Sequence, residues 1–103
     1  MSKIAIVQHA PQVLDREATI DKAARLVAEA ATSGAQLIVF PEAFVPGYPA
    51  WIWRLRPGGD WDVSERIHQR LLENAVDLAN DGLAKIRAAA SEAKVTVVMG
   101  INE

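Results

Sequence analysis

Hydrophobic positions along the chain fall into two periods that alternate. Lys3 to Gln8 (KIAIVQ) is a short run rich in β-branched residues, the pattern of a parallel strand covered on both faces, and Pro11 ends it. From Asp15, a good N-cap, to about Ser33 the period becomes helical. Ile20, Ala23, Ala24, Val27, Ala30 and Ala31 form one stripe, with Asp21, Lys22, Arg25 and Glu29 opposite. Asp21 and Arg25 stand in the favourable i, i+4 orientation, and Gly34 follows where a left-handed C-terminal residue is wanted. Gln36 to Phe40 (QLIVF) is a second strand. Strand, helix and strand in this succession predict a parallel pair joined by a right-handed crossover.

The second half repeats the scheme after an aromatic, proline-rich stretch. Arg56 to Asp60 (RPGGD) reads as a surface loop, because no strand precedes its glycines and no lysine or serine follows at phosphate-loop spacing. A helical pattern capped by Ser64 runs to about Asn74, with Ile67, Leu71, Leu72 and Ala75 inward. Another runs from about Asp81 to Ala93, with Leu83, Ile86, Ala90 and Ala93 inward. Val95 to Ile101 (VTVVMGI) is a third strand. The fold class expected is α/β. With nothing beyond that strand to cover it, the sheet reads as unfinished, and the expectation is the N-terminal part of a larger domain.

Composition narrows the function classes. Half of the 103 residues are hydrophobic and 23% charged, a globular balance, and a net charge of −2 provides no basic field for nucleic acid or an anionic membrane. No stretch has the length of a membrane span or the pattern of a signal peptide, so a cytoplasmic location is expected. There is no cysteine, which removes disulfides, thiolate metal sites and a cysteine nucleophile from these residues. His9 and His68 stand far apart without neighbouring ligands, and no metal site is expected.

One residue stands out chemically. In VFPEAFVPGYPAWIW, residues 39–53, Glu42 is the only charged side chain. It lies just past the second strand, and parallel α/β sheets bind ligands at the carboxyl ends of their strands. Pro41 fixes the exit of the chain from the sheet, Pro46 and Pro49 stiffen the loop, and Gly47 allows the turn between Pro46 and Tyr48. Two readings of Glu42 stay open at this level. Phe44, Tyr48, Trp51 and Trp53 would wall off water and raise its basicity into the range of a general base; alternatively Glu42 pairs with Arg54 or Arg56 at the rim. Position does not separate them.

The set KIAIVQHAP, GAQLIVFPEAFVPGYPAWIW (34–53) and VVMGINE resembles the N-terminal third of the nitrilase superfamily of carbon–nitrogen hydrolases, and the extension PGYPAWIW resembles its nitrilase branch. The resemblance covers essentially the whole chain. It implies an α/β/β/α sandwich, of which residues 1–103 are the N-terminal portion, and a catalytic glutamate, lysine and cysteine that hydrolyse an organic nitrile to carboxylate and ammonia through a thioimidate and an acyl-enzyme. Glu42 matches the glutamate, and Tyr48 and Trp53 match positions that line the substrate pocket in relatives. No metal or organic cofactor is implied, and the complete enzyme is expected to be a homo-oligomer. The lysine and cysteine fall outside these residues: Lys85 lies within a helix and Lys94 at the wrong end of a strand. The chain alone is therefore expected to be inactive, and with the strand Val95 to Ile101 left as a long apolar edge or half-covered face it is expected to be poorly soluble. The alternatives are an amidase or cyanide-converting member of the superfamily, or a non-catalytic binding or assembly module presenting Trp51, Trp53 and Trp61.

Overall fold

The computed structural model describes residues 2–103 and contains β1 (Ile4–Ile6), α1 (Arg16–Thr32), β2 (Leu37–Val39), α2 (Trp61–Glu73), α3 (Ala84–Ala93) and β3 (Thr96–Val98), with short 3₁₀ turns at Ala50–Trp53 and Leu78–Asn80. The strands form one parallel sheet in the order β1-β2-β3, so β2 is central. Ile4, Leu37 and Thr96 are in register, as are Ala5, Ile38 and Val97, and Ile6, Val39 and Val98. The ladder runs past these cores: Val7 N–H donates to Val39 O (2.8 Å) and Phe40 N–H to Val98 O (2.9 Å).

Asp15 caps α1 as its residue type predicts, its carboxylate accepting from Ala18 N–H at 3.0 Å. The α1 stripe buries Ile20, Ala23 and Val27 against the sheet. Thr19 is buried with them at no polar cost, because its hydroxyl donates to Gln12 O (2.8 Å) and accepts from Gln12 N–H (3.1 Å). Beyond α1, Gly34 takes φ +92°, and Ala35 N–H returns to Ala30 O (3.1 Å). The helix α3 packs beside α1 and buries Ile86. Asp21 pairs with Lys85 of α3 at 2.9 Å rather than with Arg25, since a neighbouring helix offers a cation that sequence spacing cannot anticipate.

Helix α2 departs furthest from expectation. It starts at Trp61, with Asp60 rather than Ser64 at the cap position, and Ser64 N–H already donates to Asp60 O at 2.9 Å. None of its residues is buried; Ile67, Leu71 and Ala75 are half-buried and Leu72 is exposed. Its C-terminus is tied to α1 instead: Arg16 donates from Nη1 to Ala75 O (2.9 Å) and Glu73 O (3.2 Å), and its backbone N–H donates to Asn74 Oδ1 (3.0 Å).

The core joins Val7, Ile38 and Phe40 of the strands and their ends to the two helices and to Phe44, Val45 and Val76. Only one sheet face is covered, which corrects the expectation of strands buried on both sides. Ile4 (57% exposed), Ile6 (73%) and Val98 (51%) lie open, because α1 and α3 occupy the same side. The proportions agree. The radius of gyration is 15.4 Å, against about 13 Å for a compact chain of this length. The accessible surface of 6875 Å² exceeds by about 1,200 Å² that of a globular protein of equal mass.

Candidate active site

The loop after β2 leaves the sheet and returns to it. Phe40 makes the last ladder bond, Pro41 has no N–H to continue it, and residues 42–44 form a turn with Ala43 at φ +49°, a conformation costly for a residue with a side chain. Val45 then pairs with Ile101, three residues beyond β3: Val45 N–H donates to Gly100 O (3.3 Å) and Asn102 N–H to Val45 O (2.9 Å). Phe44, Val45 and Pro46 are fully buried, with Phe44 tilted against Phe40 at a centroid distance of 5.1 Å. Glu42 thus sits on an excursion anchored on both flanks, at the carboxyl end of the central strand.

Glu42 is exposed to solvent. The apolar walls expected around it do not close here, because Phe44 points into the core while Tyr48 (46%) and Trp53 (74%) stay largely exposed. Tyr48 precedes the 3₁₀ turn at Ala50–Trp53 and Trp53 ends it, so both lie on the loop that continues from Glu42. The rim ion pair does not form either. Arg56 closes its own turn, with its guanidinium on Asp60 (Nη2 to Oδ1 2.8 Å, Nε to Oδ2 3.2 Å) and its backbone N–H on Oδ2 at 2.6 Å. These bonds hold the Asp60 carboxyl below its usual pKa, and the carboxylate in return raises that of Arg56. The ion pairs among the described residues are Arg16–Glu17, Arg56–Asp60, Lys85–Asp21 and Arg87–Asp81, and none includes Glu42.

Two residues that carry no role in the sequence pattern, Gly100 inside the third apolar run and Asn102 just past it, hold this loop. Gly100 lies against the backbone of residues 41–43, where a Cβ would meet the Pro41 carbonyl oxygen, Ala43 N at 2.6 Å and Glu42 Cα at 2.8 Å. Asn102 follows, with Nδ2 donating to Gly47 O (3.0 Å) and its own carbonyl accepting from Val76 N–H (2.7 Å). The available signal was a lone glycine within an apolar strand pattern, which marks a close backbone approach. Among the described residues no group of three or more His, Asp or Glu side chains is placed to hold a metal, and no helix is long and apolar enough to cross a membrane.

A parallel sheet with a carboxylate carried at the exit of its central strand defines an α/β protein with a strand-end site. The sequence profile of the carbon–nitrogen hydrolase family matches residues 3–103, and the chain belongs to that family. Its mixed helix and strand content agrees with the family's α/β fold. Among its relatives, an arylacetonitrilase of Aspergillus niger is 46% identical over 101 residues, 98% of this chain and 28% of that protein. An aliphatic nitrilase of Rhodococcus rhodochrous is 42% identical over 103 residues, covering 98% of this chain and 26% of the relative. A nitrilase of a Bacillus species is 42% identical over 101 residues, with 98% and 28% covered. The chain spans less than a third of the length of these relatives.

Proposed function

We propose that residues 1–103 are the N-terminal portion of a single carbon–nitrogen hydrolase domain, and that the enzyme containing them hydrolyses an organic nitrile to a carboxylate and ammonia. Glu42 is the general base on this reading. A cysteine thiol from the rest of the domain gives its proton to Glu42 and adds to the nitrile carbon; the nitrogen takes up the proton, and a lysine stabilises the developing charge. Water adds to the resulting thioimidate, the carbon–nitrogen bond breaks, and ammonia leaves an acyl thioester. A second water, deprotonated by Glu42, cleaves the carbon–sulfur bond and returns the thiol.

The observation that carries this reading is the situation of Glu42: solvent-facing, outside every ion pair among the described residues, on a loop fastened at both flanks where parallel sheets bind ligands. Tyr48 and Trp53, exposed on the same loop, supply contacts to the organic group of the substrate. The bare sheet face supports the domain assignment, as the second sheet of an α/β/β/α sandwich would cover it. On the same reading the complete enzyme is a cytoplasmic homo-oligomer that needs no metal or organic cofactor.

Ammonia release from an arylacetonitrile, an aliphatic nitrile, an amide and cyanide tests this, with the protein from the complete reading frame, its Glu42→Gln form and the 103-residue chain. Release from the complete protein alone is expected, with a loss of about 10²- to 10⁴-fold or more in Glu42→Gln. A folded complete protein that releases no ammonia, or a fully active Glu42→Gln form, refutes it. Preference for the amide or for cyanide would reassign the substrate within the family.

A further inference from the structure

We infer that the segment Gly100–Asn102 is the positioning device of the active-site loop: Gly100 sets where the Glu42 backbone rests, and Asn102 fixes the flank that leads to Tyr48. The inference rests on the functional reading above, since Glu42 and Tyr48 matter here as base and substrate contact.

Among the described residues Glu42 has no side-chain ion pair, so within them its carboxylate is aimed by the backbone that carries it. That backbone is itself unusual. The next residue, Ala43, sits at φ +49° without the freedom of a glycine, a state that persists only when the surroundings impose it. What imposes it is backbone on three sides. Phe40 N–H is bonded to Val98 O, Val45 is bridged to Ile101, and Gly100 lies flat beneath the turn between these two anchors. Gly100 does not need its glycine for φ. It needs it for space: a Cβ would meet the Pro41 carbonyl oxygen first and Ala43 N at 2.6 Å where ordinary contact begins near 3.4 Å, so the turn would retreat by at least about 0.8 Å. A misplacement near 1 Å in a catalytic array costs about 100-fold in rate.

Asn102 acts on the other flank. Its backbone N–H holds Val45 O, its side chain holds Gly47 O, and its carbonyl is held by Val76 N–H, so three segments meet at one residue. Gly47 immediately precedes Tyr48 and takes φ +133°, a region open to glycine, whose backbone is weakly restrained by itself, so the direction of its carbonyl is held by a partner. Loss of the Asn102 amide frees Tyr48 more than Glu42.

Steady-state kinetics on the complete protein separates the two roles. Gly100→Ala is expected to lower kcat about 100-fold with KM within about twofold, whereas Asn102→Ala raises KM several-fold with a smaller loss of kcat. Gly82→Ala is the control for crowding as such. Its Cβ would meet Asp77 O at 2.7 Å, also backbone, and Val76 Cγ1 at 3.1 Å; Val76 touches the Asn102 flank and not the Glu42 turn, so the comparison is made on kcat: thermal stability falls while kcat per folded molecule holds. A Gly100→Ala kcat no lower than that of Gly82→Ala overturns the inference. Should Gly100→Ala fail to fold, Asn102→Ala decides: unchanged KM and kcat overturn it, and a raised KM sustains it. Absence of nitrile hydrolysis in the unaltered protein, or its survival in Glu42→Gln, defeats the functional reading and the inference with it. Hydrolysis that needs Glu42 but is indifferent to Gly100 and Asn102 defeats the inference alone.

Discussion

Replacing Ile4 and Ile6 together by threonine distinguishes a face that belongs in water from one that belongs under a second layer. Both side chains lie on the bare side of β1, 57% and 73% exposed, so the 103-residue chain recovers little burial energy from them. Full burial of an isoleucine contributes up to about 3 kcal/mol, and scaling by the exposed fraction leaves about 2 kcal/mol per residue that only a covering layer can realise. Threonine keeps the β-branched shape, so strand propensity changes little. In the isolated chain the pair should therefore cost no more than about 2 kcal/mol and should reduce self-association. In the complete protein it should cost up to about 4 kcal/mol more. Urea denaturation followed by tryptophan fluorescence measures both, with sedimentation velocity reporting association. Equal losses in the two chain lengths would refute the assignment of this face to a buried interface.

Two further outcomes follow from the loop and its neighbours. Phe44→Ala removes a fully buried ring beneath the Glu42 turn and its contact with Phe40, and should destabilise the fold by about 3 to 5 kcal/mol in thermal denaturation; a loss below about 1 kcal/mol would contradict its place in the core. The Arg56–Asp60 turn predicts an acid-limb effect. Because Asp60 titrates lower folded than unfolded, its contribution is complete above the ordinary carboxylate range and fades as pH falls through the depressed folded value. A carbon-13 titration of the Asp60 carboxyl should show that midpoint rising toward the ordinary value in Arg56→Gln, and an unmoved midpoint would rule out Arg56 as its main cause.

What could be read from the sequence was what local chemistry decides. Asp15, the Ile20–Val27 stripe and Gly34 announce α1 because cap, period and stop all lie within the helix's own residues. The strands were legible for the same reason, and Glu42 because a lone charge among apolar residues is a local anomaly. Errors came where a distant element decided. Asp21 turned to Lys85 because α3 lies alongside, Ser64 lost the cap position to Asp60, and the apolar residues of α2 found no layer to enter. The hold of Gly100 on residues 41–43 joins positions nearly sixty apart, and only the parallel register brings them together.

The strand order carries a consequence of its own. Successive parallel strands added always in one direction, through connections of one hand, return α1 and α3 to the same side of the sheet. Chirality, and not a shortage of residues, leaves the other side empty. Lengthening either connection would thicken the occupied side and leave the vacant one as it is, so a helix could reach it only if the chain reversed its direction of travel across the sheet.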